Sequence, residues 1–195
     1  MSYPQSLNEL IANTKAAIAS GELSAEQTIE GEAWLKTAEE LSVEEHESTD
    51  YFLRHMPPQD SELSLIVLKG HLLLEQKIRE FVCERMLSPS ALDKAKLSFF
   101  QVVCLAEALT LPNEDPKRLW GVLLKVNSLR NQLAHNLEPV GIEARVKEII
   151  IDYSPMCSVR SGFPGVLASA YGQLSELCRI VREPQFRMPG RDGGS

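Results

Sequence analysis

The chain has 195 residues, a net charge of −7 and a hydrophobic fraction of 44%. This length suits one domain, or one domain with an extension, and the hydrophobic content excludes a fully disordered chain. No apolar run approaches the roughly 20 residues of a membrane span, and the first residues lack the pattern of a signal peptide, so we expect a cytoplasmic protein with no membrane segment.

Charge divides the chain unevenly. Residues 1–60 carry three basic and twelve acidic side chains, a net of −9, whereas the remainder has a net charge of +2. The total charge alone argues against a protein that coats nucleic acid, but the larger part of the chain is mildly basic. We predict an acidic helical N-terminal extension over 1–58, a helical bundle over 59–184 and a disordered tail over 185–195.

Two helices are predicted in the acidic extension. Apolar spacing indicates the first over 6–18, followed by Gly21 as a stop signal. Ser24 begins a capping-box pattern, and the second helix is expected to run from there to about Glu45. Pro57 and Pro58 then break the chain. The acidic helical surface is either simply solvated, or an arm that docks a basic partner or covers the basic remainder.

The rest of the chain shows the apolar periodicity of helices, with little of the alternation that strands require. Turn signals containing proline, serine or glycine separate the helical segments. The fold class predicted is therefore all-α, with an antiparallel bundle at its centre. The predicted helices cover 63–86, 92–111, 116–136, 140–153 and 166–182.

The spacing of the cysteines and the absence of the common catalytic motifs exclude several kinds of site. No Cys-x-x-Cys pair and no Cys–His spacing typical of zinc is present, so we expect no metal and no disulfide framework. Cys83, Cys104 and Cys178 lie in apolar stretches and are expected to be buried, reduced thiols. The motifs for nucleotide phosphates, dinucleotides, zinc proteases and serine hydrolases are absent, so no cofactor is expected.

His135 lies close to other polar residues in the sequence. On a helix, Asn131 and His135 are four residues apart and lie on one face, and Arg130 is about 100° round from Asn131. The spacing therefore predicts a polar patch of Arg130, Asn131 and His135 near a helix C-terminus. The remaining histidines are expected at the surface, except His71, which is expected at the edge of the core with one hydrogen bond.

This patch suits cleavage of a phosphodiester bond. Arginine binds phosphate through two parallel hydrogen bonds, and histidine moves protons near neutral pH. The 2′-hydroxyl of RNA is a built-in nucleophile, so a base and an acid suffice without a metal, and two copies of one histidine supply both. A second interpretation stays open, because arginine and histidine are favoured at a helix C-terminus by the helix dipole alone.

The stretch Arg-Asn-Gln-Leu-Ala-His at 130–135 resembles the Arg-x4–6-His motif of the HEPN superfamily, in which a polar residue often follows the arginine. The segment 63–81 is also similar to the first long helix of bacterial HEPN-like proteins. The resemblance covers residues 60–140, about 40% of the chain. The acidic extension and the helix after Gly165 are not part of the minimal HEPN domain.

The resemblance implies a homodimeric helical bundle that cuts RNA without metal at the dimer interface. It assigns Arg130 and His135 as catalytic and Asn131 as a supporting polar residue. Many such proteins are toxins or phage-defence effectors, often encoded beside a nucleotidyltransferase-like antitoxin. Because some HEPN proteins are inactive, the alternative is a non-catalytic helical protein that dimerises and binds a protein partner.

Overall fold

The computed structural model describes residues 6–58, 61–110, 116–136, 140–153 and 162–182. Within these ranges the regular structure is helical and contains no strand, which confirms the all-α prediction for the described residues. The helices are α1 (Leu7–Ser20), α2 (Ala25–Glu39), α3 (Val43–His55), α4 (Leu63–Arg85), α5 (Ser90–Ala95), α6 (Phe99–Leu109), α7 (Lys117–His135), α8 (Ile142–Tyr153) and α9 (Gly162–Arg182).

The chain divides into two compact units, Met1–Glu62 and Leu63–Ser195. The first unit contains α1 to α3, and the second contains α4 to α9. Whether the second unit is a HEPN-like antiparallel bundle stays a prediction. The tail predicted over 185–195 lies outside the described residues.

Serine caps begin all three helices of the first unit. The Ser6 hydroxyl accepts the N–H of Glu9 at 3.2 Å before α1. Ser24 and Ser42 each form a full capping box, with Gln27 before α2 and with Glu45 before α3. A capping box satisfies two backbone N–H groups that have no partner inside the helix, so each serine fixes a helix start.

The single helix predicted from Ser24 to about Glu45 is wrong. The structure ends α2 at Glu39 and begins α3 at Val43. The break follows from the second capping box, because Ser42 has the extended backbone of an N-cap (φ −65°, ψ 165°) and binds the N–H of Glu45. The apolar spacing continues across this point, which is why periodicity alone did not locate it.

Polar contacts join α1 to both other helices of the first unit. The backbone N–H of Leu7 donates to Asp50 Oδ1 on α3 at 2.6 Å. Lys15 Nζ lies 2.7 Å from Glu39 Oε1 at the end of α2. The Lys15 pair is exposed and adds little stability, whereas Leu7 is only 1% exposed, so its bond to Asp50 is the stronger anchor for the helix start.

Helix α4 is central to the second unit. It packs against α6, α7 and α9, and most extensively against α9. At Gly70 the two helices come so close that an added Cβ would lie 2.4 Å from Leu167 Cδ1. Glycine is therefore required for this approach, since Leu167 is itself fully buried and has little room to move.

The single helix predicted over 92–111 is also wrong, because two helices occupy this range. Helix α5 ends at Ala95, because the next residue, Lys96, has a left-handed backbone (φ 46°) that cannot continue a helix. Ser98 then forms a capping box with Gln101 and starts α6. The next helix, predicted over 116–136, begins at Lys117, and Pro116 directly precedes it.

The cysteine prediction is partly wrong. Cys83, Cys104 and Cys178 take part in no disulfide, and of these three described cysteines Cys178 alone is buried. Cys83 is half-buried and Cys104 is exposed. The apolar stretch around Cys104 contributes Val102, Val103 and Ala106 to the core, and this leaves Cys104 on the outward side of α6.

Candidate functional site

The residues of the Arg-x4-His motif lie at the C-terminal end of α7. Arg130 and His135 are exposed, Asn131 is half-buried, and His135 is the last residue of the helix. Asn136 ends the helix with an extended backbone, and its N–H donates to the Gln132 carbonyl oxygen at 3.2 Å. The candidate site is therefore an exposed surface at a helix end, where unpaired carbonyl groups favour positive charge.

The structure brings Arg130 and Asn131 into contact. Arg130 Nη1 donates a hydrogen bond to Asn131 Oδ1 at 3.1 Å. Neighbouring residues on a helix do not normally face each other, but the long arginine side chain reaches round to the amide. The guanidinium has five N–H groups, and this bond uses one of them. Within the described ranges Arg130 has no carboxylate within ion-pair distance, so its charge is available to an anion.

His135 follows Asn131 by one helical turn, about 6 Å along the axis of α7. Its ring is exposed and makes no hydrogen bond or ion pair to another described residue. The structure therefore places His135 on the same helix end as Arg130 and Asn131 but shows no direct bond between the histidine and either of them. An exposed imidazole at this position is free to exchange a proton with a bound molecule.

A buried histidine on α4 adjoins the site. His71 is 3% exposed, and its Nε2–H donates to Asn127 Oδ1 on α7 at 3.2 Å. The His71 ring also packs on Phe99 of α6, with ring centroids 4.5 Å apart. Asn127 lies one turn before Asn131, so this hydrogen bond fixes the turn of α7 from which the candidate site extends.

Burial lowers the pKa of His71 below its ordinary value of 6.5, and the nearby charge of Arg130 lowers it as well. The hydrogen bond to Asn127 and the charge of Glu75 act in the opposite direction but do not outweigh burial. His71 is therefore neutral at pH 7. Arg130 follows Asn127 by three residues, so the two residues are neighbours on one face of α7.

Helix α8 flanks α7 on another side, in antiparallel register. Lys125 Nζ pairs with Glu148 and Asp152 of α8. Further along α7, Gln132 Nε2 donates to the Val140 carbonyl oxygen at 2.7 Å, just before α8 begins. These contacts hold the C-terminal end of α7 beside the N-terminal end of α8.

One cavity lined by described residues lies away from the candidate residues. That cavity has a volume of about 420 Å³ and lies between α4, α5 and α6. Its lining consists of Arg79, Val82, Cys83, Leu92, Lys96, Leu97 and Val102. Arg130 and His135 do not line this cavity, and both are exposed.

In the described ranges, no three histidine, cysteine or acidic side chains gather as they would around a metal ion. None of the described helices combines the length and the apolar character that crossing a membrane requires.

Comparisons with protein-family models, with curated proteins and with solved structures found no match for this chain. Membership of the HEPN superfamily therefore stays a prediction that depends on the motif at 130–135 and on the helix that carries it.

Proposed function

We propose that this chain is a metal-independent endoribonuclease of the HEPN type, with Arg130 and His135 as catalytic residues. One observation carries the proposal. Both side chains are exposed at one end of α7 and free of described carboxylate partners, while Asn131 holds the guanidinium in place. A structural arginine or histidine would instead be expected in an ion pair or a buried hydrogen bond.

Arg130 binds the phosphate that is cleaved. A guanidinium matches two phosphate oxygens with parallel N–H groups and stabilises the negative charge that grows on them in the transition state. Asn131 accepts one N–H through its Oδ1 and so restricts the orientation of the others. The remaining N–H groups of Arg130 then point to solvent, where a phosphate approaches.

His135 transfers protons. As a base, one neutral imidazole removes the proton of the RNA 2′-hydroxyl, and the resulting oxygen attacks the adjacent phosphorus. The bond from phosphorus to the 5′-oxygen breaks, and that oxygen takes a proton from a second imidazole in its acid form. One histidine cannot fill both roles in the same step, so the proposal requires a homodimer in which each copy contributes His135.

The wider setting follows from the resemblance of residues 130–135 to the HEPN motif. On this proposal, the second unit is a HEPN-like antiparallel bundle with an acidic helical extension, and the protein acts in the cytoplasm as a toxin or phage-defence effector. A nucleotidyltransferase-like antitoxin is the partner that this setting implies. RNA is the substrate, and no cofactor is required.

The test is cleavage of mixed RNA by the purified protein in the presence of EDTA. We expect the wild type to cut RNA, and Arg130→Ala and His135→Ala to lower the rate by about 10²–10⁴, the usual effect of removing one proton-transfer or charge-stabilising group. Matched controls are Arg118→Ala, an exposed arginine in the first turn of α7, and His55→Ala, an exposed histidine at the end of α3.

The two controls decide how a loss of activity is interpreted. Cleavage that survives in both Arg130→Ala and His135→Ala contradicts the assignment and indicates a contaminating nuclease. Equal loss in the control variants contradicts it as well, because the effect would then come from a general change in charge or stability.

A non-catalytic interaction protein is the second candidate, and an apolar stripe on α4 favours it. Leu65, Leu68 and Leu72 are spaced on one side of α4 and are 42%, 39% and 58% exposed. Aligned exposed leucines are typical of a surface that a partner covers. This candidate predicts that the wild type leaves RNA intact in the assay above, and that Leu68→Asp changes the sedimentation coefficient of the chain.

A further inference from the structure

We infer that Arg145 on α8 is a further substrate-binding residue, which binds the RNA phosphate next to the one that is cleaved. This inference rests on the proposed function. It adds a cation from a second helix to a site that the sequence motif places on α7 alone.

Arg145 lies against the side of α7 that carries His135. Arg145 Nη1 is 3.5 Å from Ser128 Oγ, a long and weak hydrogen bond that nevertheless fixes which turn of α7 the arginine faces. His135 follows Ser128 by seven residues, which is about two turns, so the two side chains differ in direction by only about 20° and lie about 10 Å apart along the axis. Arg145 therefore extends the surface of the candidate site along α7.

The two arginines lie on different sides of the histidine. Arg130 and Ser128 differ in direction by about 160° around α7, with Asn131 and His135 between them. Arg130 follows Asn127 by three residues and so lies towards the side of α7 where Asn127 binds His71 of α4. Arg145 approaches from the side of α8. Arg130 and His135 both act on the phosphate that is cleaved. An RNA strand with its cleaved phosphate at these two residues passes towards Arg145 with a neighbouring phosphate.

Lys125 and Arg145 both lie at the α7–α8 contact, but they differ in whether a carboxylate pairs with them. Lys125 is bound by Glu148 and Asp152, and its bond to Asp152 raises the pKa of Lys125 above its ordinary value. Its charge is therefore neutralised within the protein. Arg145 is exposed, and among the described residues it has no carboxylate within ion-pair distance. Its remaining N–H groups are available for a phosphate.

A residue that binds a neighbouring phosphate has a recognisable kinetic effect. It contributes to binding in the ground state and in the transition state alike, so its removal raises KM and leaves kcat nearly unchanged. Each phosphate contact releases counterions from the RNA. Removing one contact therefore reduces the slope of log affinity against log salt concentration by about one.

The experiment compares Arg145→Gln with Lys147→Gln, which removes the same charge from the same helix. Residues 145 and 147 differ in direction by about 160°, and Lys147 is also exposed, so the control faces away from the site. We expect Arg145→Gln to raise KM for RNA about fivefold to tenfold at low salt, with kcat within about twofold. Lys147→Gln is expected to change neither by more than about twofold.

A non-cleavable 2′-O-methyl oligonucleotide, followed by fluorescence anisotropy, measures binding separately from cleavage. We expect the slope of log affinity against log salt concentration to be smaller by about one in Arg145→Gln and unchanged in Lys147→Gln. All three proteins are expected to melt at the same temperature. A wild type that cleaves RNA, together with an Arg145→Gln variant indistinguishable from Lys147→Gln, overturns this inference and leaves the proposed function standing. A wild type that does not cleave RNA overturns both.

Discussion

His71 is a buried ionisable side chain at the contact between α4 and α7, and its neighbours determine its protonation state. The ring packs on Phe99 and donates to Asn127, while Glu75 Oε2 lies 3.8 Å from its Nδ1. Burial is the largest influence on the His71 pKa and lowers it, with Arg130 acting in the same direction. The fold therefore prefers the neutral imidazole.

This preference makes the stability of the protein depend on pH. Between the lowered pKa of folded His71 and the ordinary value of 6.5, the unfolded chain binds a proton more readily than the folded chain. We expect the free energy of unfolding to have its full contribution from His71 above pH 6.5 and to lose it as the pH falls through the folded pKa. His71→Gln is expected to remove this part of the acid dependence.

Urea unfolding at pH 7.5 and 5.5 measures the effect in the wild type, in His71→Gln and in His55→Gln. The last variant is the control, because His55 is exposed at the end of α3. An acid-induced loss of stability that is equal in the wild type and His71→Gln would show that His71 is not the group responsible.

The elements show where helix boundaries are readable from sequence. The capping-box pattern predicts a helix start at Ser24, whereas the same pattern at Ser42 and Ser98 lies inside continuous apolar periodicity, which predicts one unbroken helix. In each case the structure has a capping box and a new helix. The periodicity records which residues face the core, and it does not record whether the backbone is interrupted between them.

For the candidate site too, one part is predictable from helical spacing and another part depends on how the helices pack. Helical spacing alone predicts Asn131 and His135 one turn apart with Arg130 nearby, but it does not predict the hydrogen bond between Arg130 and Asn131. The contributions from other helices could not be predicted, because they depend on how α4 and α8 pack. His71 was expected at the core edge with one hydrogen bond, but its partner Asn127 is 56 residues away.

Helices α4 and α9 approach each other closely at Gly70. At Gly70, an added methyl group collides with the buried Leu167, so Gly70→Ala is expected to destabilise the fold by about 1–3 kcal/mol despite the better helix propensity of alanine. Gly121 is exposed within α7 and has open space around its Cα. Gly121→Ala is therefore expected to stabilise the fold by about 0.5–1 kcal/mol.

Chemical denaturation of the two alanine variants gives these values directly. Opposite signs are the expected outcome, because the substitutions are chemically identical and differ only in their surroundings. A Gly70→Ala variant as stable as the wild type would contradict the close packing of α4 on α9.

For the whole molecule, the division of charge is the feature that bears on RNA binding. The second unit carries the candidate site, and the net negative charge of the chain lies in the first unit. If the acidic unit opposes RNA binding, then replacing exposed glutamates by glutamine raises affinity at low salt, and the gain disappears at high salt as charges are screened. Suitable exposed positions are Glu22, Glu32, Glu40 and Glu47.

We expect the fourfold glutamine variant to bind RNA about threefold or more tightly in low salt. The matched variant with aspartate at the same positions keeps the charge and is expected to bind as the wild type does. RNA affinities that are equal in the glutamine and aspartate variants at all salt concentrations would refute a role for the acidic unit in regulating RNA binding.

The most direct test of the central claim uses a DNA oligonucleotide that contains a single ribose, incubated with the protein in EDTA. The account predicts that the wild type cuts only at the 3′ side of the ribose and leaves a 2′,3′-cyclic phosphate, and that His135→Ala leaves the strand intact while His55→Ala cuts normally. Cleavage of an oligonucleotide with no ribose, or undiminished cleavage by His135→Ala, would contradict the account.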